Sequence, residues 1–162
     1  MAMTSTSAEE NKLSTPEITS VSKLKARDSV IHAGLSVGSS AGANVAWEFH
    51  PRLQWETSWG WRTDKQAGWL GASDLLLLFP EAMGKVGPEA RLVLYAGVGG
   101  QVDYVLDDNR QLRFGSRVSL GIKYTFADRR YEAFTAVATG LYYVPELRAS
   151  LDTSIGLRLR IW

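Results

Sequence analysis

The sequence contains no cysteine and only two histidines, His32 and His50. The absence of cysteine excludes a disulfide scaffold and a thiolate metal site. Two histidines leave little for histidine-based chemistry, so we expect no metal and no other cofactor. Phosphate-binding, dinucleotide and EF-hand motifs are also missing, and the glycines at 97, 99 and 100 precede no predicted helix, so they do not indicate a cofactor loop.

The sequence also lacks an excess of charge of either sign, and it lacks long apolar runs. Eighteen basic and 17 acidic residues give a net charge of +1, so no strong field attracts nucleic acid, which we exclude as a partner. The longest apolar run, 75–79, stops at Pro80, far short of the ~20 residues of a membrane helix. Residues 1–28 are polar and lack the apolar core of a signal peptide. We interpret them as a flexible N-terminal arm and expect any signal peptide to have been removed or replaced.

What the sequence does have is β-strand periodicity. Fifteen glycines and 17 aromatic residues (six Trp, six Tyr, five Phe) favour a β-rich domain over a helical bundle. From residue 29 onward, apolar residues recur at every second position, as in strands whose two faces meet different surroundings. Segments 67–79 and 131–144 are less regular. The first becomes a solid apolar run, and the second allows either Phe134 or Thr135 to point outward.

This periodicity predicts eight strands in one domain, residues 29–162. They lie near residues 29–38, 43–50, 53–63, 67–79, 90–105, 111–126, 131–144 and 150–162. Prolines 51, 80, 88 and 145 fall at the edges of these segments, where sheet hydrogen bonding tolerates them. Short connections imply antiparallel neighbours. An up-and-down meander of eight strands should close into a barrel, because open edges invite aggregation.

The face that points inward decides the function. A soluble barrel encloses its apolar face, whereas a membrane barrel exposes it to lipid. Here the apolar face is bulky, and the interior of an eight-stranded barrel holds only modest side chains or one small ligand. The other face is rich in Gly, Ala and Ser, with single charges between them. The predicted lipid-facing aromatic residues are Trp47, Phe49, Trp55, Trp59, Trp61, Phe114, Tyr124 and Phe126.

Strand length and aromatic placement favour the membrane interpretation as well. Several predicted strands contain ten or more residues, and tilted membrane strands need about 9–11. The aromatic residues gather near strand ends, as in the girdles at the two lipid–water interfaces, although aromatic residues also prefer strands in general. We therefore predict an all-β, eight-stranded antiparallel up-and-down transmembrane β-barrel. Its predicted polar lumen network is His32, Glu48, Glu56, Arg62, Asp103, Arg113, Arg117, Lys123, Asp152, Arg158 and Arg160, and Gln54 and Gln101 are predicted to share this lumen.

The C-terminus resembles the terminal assembly signal of bacterial outer-membrane barrels. Ser154, Gly156, Leu159 and Ile161 occupy its polar, glycine and two apolar positions, but Ile161 followed by Trp162 replaces the usual final phenylalanine. Segments 94–100 and 114–124 also resemble small outer-membrane proteins. The resemblance implies an OmpA/OmpX-like barrel in the bacterial outer membrane, in contact with outer-membrane lipid and inserted by the barrel assembly machinery.

Lumen charges of both signs predict a plugged barrel, because buried charges without partners are costly. We expect a structural or interaction role in the cell envelope rather than open-pore transport, with a gated ion path as the sharper alternative. With periplasmic termini, the outer loops 39–42, 63–66, 106–110 and 145–149 are short, which disfavours an adhesin or receptor. A periplasmic protein partner that binds through 1–28 and 80–89 is a further hypothesis.

Two other functions are weighed against this one. A lipid-A-modifying outer-membrane enzyme needs a nucleophile, a base and an acid within reach, and the candidates are His32 with Ser36, or His50 with Glu48, Glu56 or Ser58. His32 and Ser36 lie more than about 10 Å apart along one strand, and their sequence lacks the His-x-Ser pattern of the deacylases, so we name no catalytic residue. A soluble lipocalin-like or avidin-like ligand-binding barrel is disfavoured because no Gly-x-Trp opens the first strand.

Overall fold

The computed structural model describes residues 29–63, 67–80, 90–106 and 110–162. The arm predicted at 1–28 and nearly all of the 80–89 link lie outside these ranges. Eight strands make up the chain in order: β1 Val30–Gly38, β2 Ser40–His50, β3 Leu53–Arg62, β4 Gly68–Phe79, β5 Arg91–Val105, β6 Gln111–Thr125, β7 Tyr131–Val144 and β8 Arg148–Arg160. Among the described residues, no helix has the length and apolarity needed to cross a membrane.

The strands form one closed antiparallel barrel in sequence order, from β1 to β8 and back to β1. The β1–β8 ladder that closes it runs from the pair His32 and Arg160 to the pair Gly38 and Ser154. The predicted all-β, up-and-down, eight-stranded architecture is therefore confirmed. We call the end that holds the start of β1, the end of β8 and the β2–β3 and β6–β7 turns the termini end, and the opposite end the loop end.

The first loop is shorter than the sequence analysis predicts. Only Ser39 separates β1 from β2, so the loop predicted at 39–42 is wrong. Val37 and Gly38 continue β1 by pairing with β8, and Ser40 and Ala41 begin β2 by pairing with β3. Beyond the point where they pair with each other, β1 thus continues along β8 and β2 begins along β3. Similarly, β8 begins at Arg148, earlier than the predicted residue 150.

In the structure, the two strands with irregular patterns each have clearly defined inward-facing and outward-facing side chains. On β7, Phe134 points inward with 3% of its surface exposed, and Thr135 points outward. Gly156 on β8 is the register partner of Phe134, and a Cβ there would lie 2.5 Å from the Phe134 ring. The missing side chain makes room for the ring. On β4, Asp74 and Leu76 are buried, while Leu75 and Leu77 are exposed.

The outer surface is predominantly apolar. Thirty large hydrophobic side chains are exposed in the described residues, among them Leu120 at 59% and Ile155 at 61%. Aromatic rings pair near both ends of the barrel. Near the termini end, Trp47 contacts Phe49 and Tyr124 contacts Phe126, and near the loop end Trp61 meets Trp69 edge-to-face at 5.3 Å. A belt of this kind is far larger than the apolar patches that monomeric soluble proteins expose.

The inner surface combines small apolar residues with buried polar ones. An apolar cluster of Leu76, Leu78, Val93, Tyr95 and Ala136 fills one side of the interior. Buried polar and charged side chains, contributed by all eight strands, fill the rest. Because an eight-stranded barrel encloses a narrow space, these side chains have to contact one another across it.

Candidate functional site

Arg158 lies at the centre of the barrel interior with 1% of its surface exposed. Its guanidinium Nη2 lies 2.6 Å from Glu56 Oε1, and its Nη1 lies 2.9 Å from Glu132 Oε1. Its Nε donates to Oδ1 of Asn44. The guanidinium also stacks on the ring of Phe134, 3.8 Å from the centroid. Each guanidinium nitrogen therefore has a polar partner and one face of the group lies against an aromatic ring, as expected for a buried charge.

Lys123 forms a second group of ion pairs, nearer the termini end. Its Nζ pairs with Glu48 Oε1, lies 3.3 Å from Glu132 Oε2 and donates to Gln54 Oε1 over 2.7 Å. Glu132 thereby joins the two cations, because one of its oxygens faces Arg158 and the other faces Lys123. Residues from five strands are thus connected into one network across the barrel.

Two amides complete this network. Asn44 Nδ2 donates to Glu56 Oε1 over 2.8 Å, and Gln54 Nε2 lies 3.3 Å from Glu56 Oε2. We call the whole network the central layer; it comprises Asn44, Glu48, Gln54, Glu56, Lys123, Glu132 and Arg158. Charge-assisted hydrogen bonds of this kind are stronger than neutral ones and fix geometry as well as charge balance.

Two further ion-pair groups lie between the central layer and the loop end. Arg117 Nη2 lies 3.0 Å from Asp74 Oδ2. Asp103, which is fully buried, has Arg62 at 2.6 Å and Arg113 at 3.6 Å from its Oδ2. The interior is therefore crossed by ion pairs at several heights.

Among the cavities that the described residues line, one lies on each side of the central layer. The cavity towards the loop end has a volume of about 30 Å³ and is bordered by Glu56, Asp74 and Arg117. The cavity towards the termini end has a volume of about 90 Å³ and is bordered by His32, Glu48 and Lys123. Arg158 and Glu132 border neither of them. Arg158 and Glu132 thus belong to the part of the central layer that borders neither space, whereas Asn44 and Glu56 border one and Glu48 and Lys123 the other.

The structure brings most of the predicted lumen residues together in these ion pairs. Glu48, Glu56, Lys123 and Arg158 belong to the central layer, and Arg62, Asp103, Arg113 and Arg117 to the two upper groups. His32 and Asp152 are also buried. Arg160 departs from the prediction. It is exposed at the termini end, where its Nε donates to the backbone oxygen of Trp162, because β8 ends at this residue.

The sequence analysis missed three interior partners: Asn44, Asp74 and Glu132. Asp74 and Glu132 lie on β4 and β7, the two strands for which the sequence left undecided which side chains face inward. A usable signal for Glu132 exists in the sequence. Small residues at 136, 138 and 140 share its phase and mark the lumen-facing side.

The predicted lipid-facing aromatic residues all lie on the outer surface. Trp47, Phe49, Trp55, Trp59, Trp61, Phe114 and Phe126 are 38–52% exposed, and Tyr124 is half-buried against Phe126. On β8, Ser154 and Gly156 alternate in step with buried Arg158, whereas Leu159 is exposed, as are Ile161 and Trp162 just beyond the strand. The backbone of Trp162 is bound to Ile31, so the chain end is attached to β1.

The candidate catalytic pairs are separated in the structure. His32 borders the cavity at the termini end, whereas Ser36 borders the cavity on the other side of the central layer. His50 is exposed at the β2–β3 turn, where its Nδ1 accepts a hydrogen bond from the backbone of Arg52 over 3.2 Å. Neither pair has the contact that nucleophile activation requires.

The fold is that of a known outer-membrane barrel domain. The N-terminal β-barrel domain of Pseudomonas aeruginosa OprF superimposes with a TM-score of 0.59 and 19% identity, covering 83% of this chain and 98% of that domain. Neisserial surface protein A, NspA, aligns with a TM-score of 0.49 and 11% identity over 81% of this chain and 94% of its own. The resemblance to small outer-membrane barrels is confirmed at the level of the fold. No protein-family model and no curated protein matches the sequence.

Proposed function

We propose that this chain is a small outer-membrane β-barrel with a closed lumen and a structural or interaction role in the cell envelope. The observation that carries the proposal is the central layer, in which Arg158, Glu56, Glu132 and Lys123 fill the barrel between its two cavities. A pore needs a continuous water path, and a layer of paired charges across the lumen would interrupt such a path. Arg158 resists displacement because the buried Glu56 carboxylate would then be left without its cation.

The outer membrane is the environment that fits the outer surface. Thirty exposed large hydrophobic residues surround the barrel, and aromatic rings concentrate near both ends. Aromatic girdles on either side of an apolar band are typical of barrels in lipid. The exposed residues Leu159, at the end of the last strand, and Ile161 and Trp162, just after it, fit a role in recognition by the barrel assembly machinery.

Gel mobility and bilayer recording test the proposal together. A closed barrel should stay folded in dodecyl sulfate until it is heated, because it unfolds slowly, so heated and unheated samples should migrate differently. The same preparation, inserted in a planar lipid bilayer, should give no sustained conductance. A stable open channel, or a protein that is monodisperse without detergent, would refute the closed-lumen or the membrane part respectively.

Contact with a periplasmic protein is a secondary part of the proposal. Its basis is the polar composition of residues 1–28 and the length of the 80–89 link, which begins at the termini end. Deleting residues 1–28 is expected to remove envelope proteins that co-purify with the full chain after crosslinking. An identical set of crosslinked proteins with and without the arm would argue against a partner that binds there.

A further inference from the structure

His32 is a buried histidine with an unused nitrogen. It lies on β1 at the termini end, between its register partners Ala46 and Arg160, with 4% of its surface exposed. Within the described ranges, its Nδ1 has no hydrogen-bond partner. Buried polar atoms are rarely left in this state, so the position calls for an explanation.

Two carboxylates lie beside this histidine. One ring nitrogen of His32 and one carboxylate oxygen each of Glu48 and Glu132 all lie within 4.8 Å of one another. The three residues come from β1, β2 and β7, so only the closed barrel assembles them. One imidazole and two carboxylates are a donor set that suits Zn²⁺, whose bonds to nitrogen and oxygen are ~2.0–2.2 Å long. The donors would move together by roughly an ångström to reach such bonds.

The cavity beside the cluster provides access and a further ligand. His32 and Glu48 border the cavity of about 90 Å³ at the termini end, together with the exposed residues Pro51 and Arg160. This volume holds several water molecules, since one needs roughly 10–15 Å³ of such space. A water molecule from the cavity can therefore complete a four-coordinate ion.

The charges of the central layer favour an additional cation. Glu48, Glu56 and Glu132 carry three negative charges, whereas Lys123 and Arg158 carry two positive ones. With a neutral imidazole, one negative charge remains in excess among these five side chains, while Arg91, Arg129 and Arg160 add positive charge at the border of the cavity. The Lys123 ammonium now lies between Glu48 and Glu132, so it competes for the position that a metal ion would take. Its long flexible side chain also borders the cavity, which gives it somewhere to move.

We propose that His32, Glu48 and Glu132 form a zinc-binding site at the termini end of the lumen, which Lys123 occupies in the absence of metal. On zinc entry, the Lys123 ammonium leaves the two carboxylates and moves into the water-filled cavity with its proton retained. The imidazole of His32 and one oxygen from each carboxylate then bind the ion. The site requires neither the arm at 1–28 nor a partner protein.

Calorimetric titration of the full chain, folded in detergent micelles, with zinc chloride tests the site. The unaltered protein should bind one zinc ion per chain. His32→Gln should weaken binding by at least about tenfold, since it removes the only nitrogen donor. His50→Gln is the matched control, because His50 is exposed at the β2–β3 turn, and it should bind like the unaltered protein. Absence of saturable binding, or equal losses in both variants, would overturn the proposal.

Lys123→Met provides a test that only this arrangement predicts. Removing the competing ammonium should strengthen zinc binding by about tenfold, because Glu48 then lacks a cation and Glu132 retains only Arg158. Where this variant folds poorly without metal, zinc in the folding buffer should restore its yield, and the double variant His32→Gln/Lys123→Met should not respond. Weaker binding by Lys123→Met, or zinc rescue that persists without His32, would contradict the competition.

Discussion

Replacing Leu120 with arginine is expected to lower the free energy of unfolding by about 2–4 kcal/mol, the cost of an arginine near the bilayer midplane on the lipid-facing side of a barrel. Leu120 is 59% exposed on the outer surface of β6, between Phe114 and Tyr124 near the two ends. In water, the same exposed substitution would change stability by no more than about 0.5 kcal/mol. Denaturant titration of the barrel folded into lipid vesicles measures the difference.

Leu147→Arg is the matched control for this prediction. Leu147 is even more exposed, at 74%, but it lies in the connection between β7 and β8 at the loop end. An arginine there should reach water, so its cost should be close to zero. Equal effects at both positions, or a Leu120→Arg variant as stable as the unaltered protein, would show that the apolar belt does not face hydrocarbon.

The alternation of residues was sufficient to predict the barrel but not every strand phase. Where bulky and small residues alternate cleanly, as on β6, the inner and outer faces could be assigned correctly. On β7 the pattern was ambiguous because Phe134, a large residue, points inward. It does so because Gly156 on the neighbouring strand leaves space and Arg158 stacks on the ring. That compensation lies on another strand, where a single-strand pattern carries no information about it.

The sequence also could not predict which charged side chains in the lumen pair with each other. Arg62 and Asp103 are 41 positions apart, and Lys123 and Glu48 are 75 apart. Which charges meet depends on strand register around the whole barrel, and a shift of one residue reverses the side of every residue on a strand. The sequence could indicate that charges of both signs are enclosed. The pairing of these charges is determined only by the strand register of the closed barrel.

Replacing Arg158 with methionine is expected to cost about 3–5 kcal/mol of stability, as when one partner of a buried ion pair is removed. Arg158 supplies the pairing cation for Glu56 at 2.6 Å, whereas Glu132 retains Lys123 at 3.3 Å. Denaturant titration in lipid vesicles measures the loss. Arg160→Met, two positions along the same strand but exposed at the termini end, should cost little and serves as the control.

Second-site variants distinguish whether lost charge pairing or lost packing causes this loss of stability. If the uncompensated Glu56 carboxylate causes it, Arg158→Met/Glu56→Gln should recover most of the stability, because neither charge of the pair remains and the amide can still bind Asn44. Arg158→Met/Glu132→Gln should recover less, since Lys123 already compensates Glu132. If neither double variant recovers stability, the loss comes instead from the cavity left above the Phe134 ring. The central layer would then act by filling space, and its charges would contribute little to the closure of the barrel.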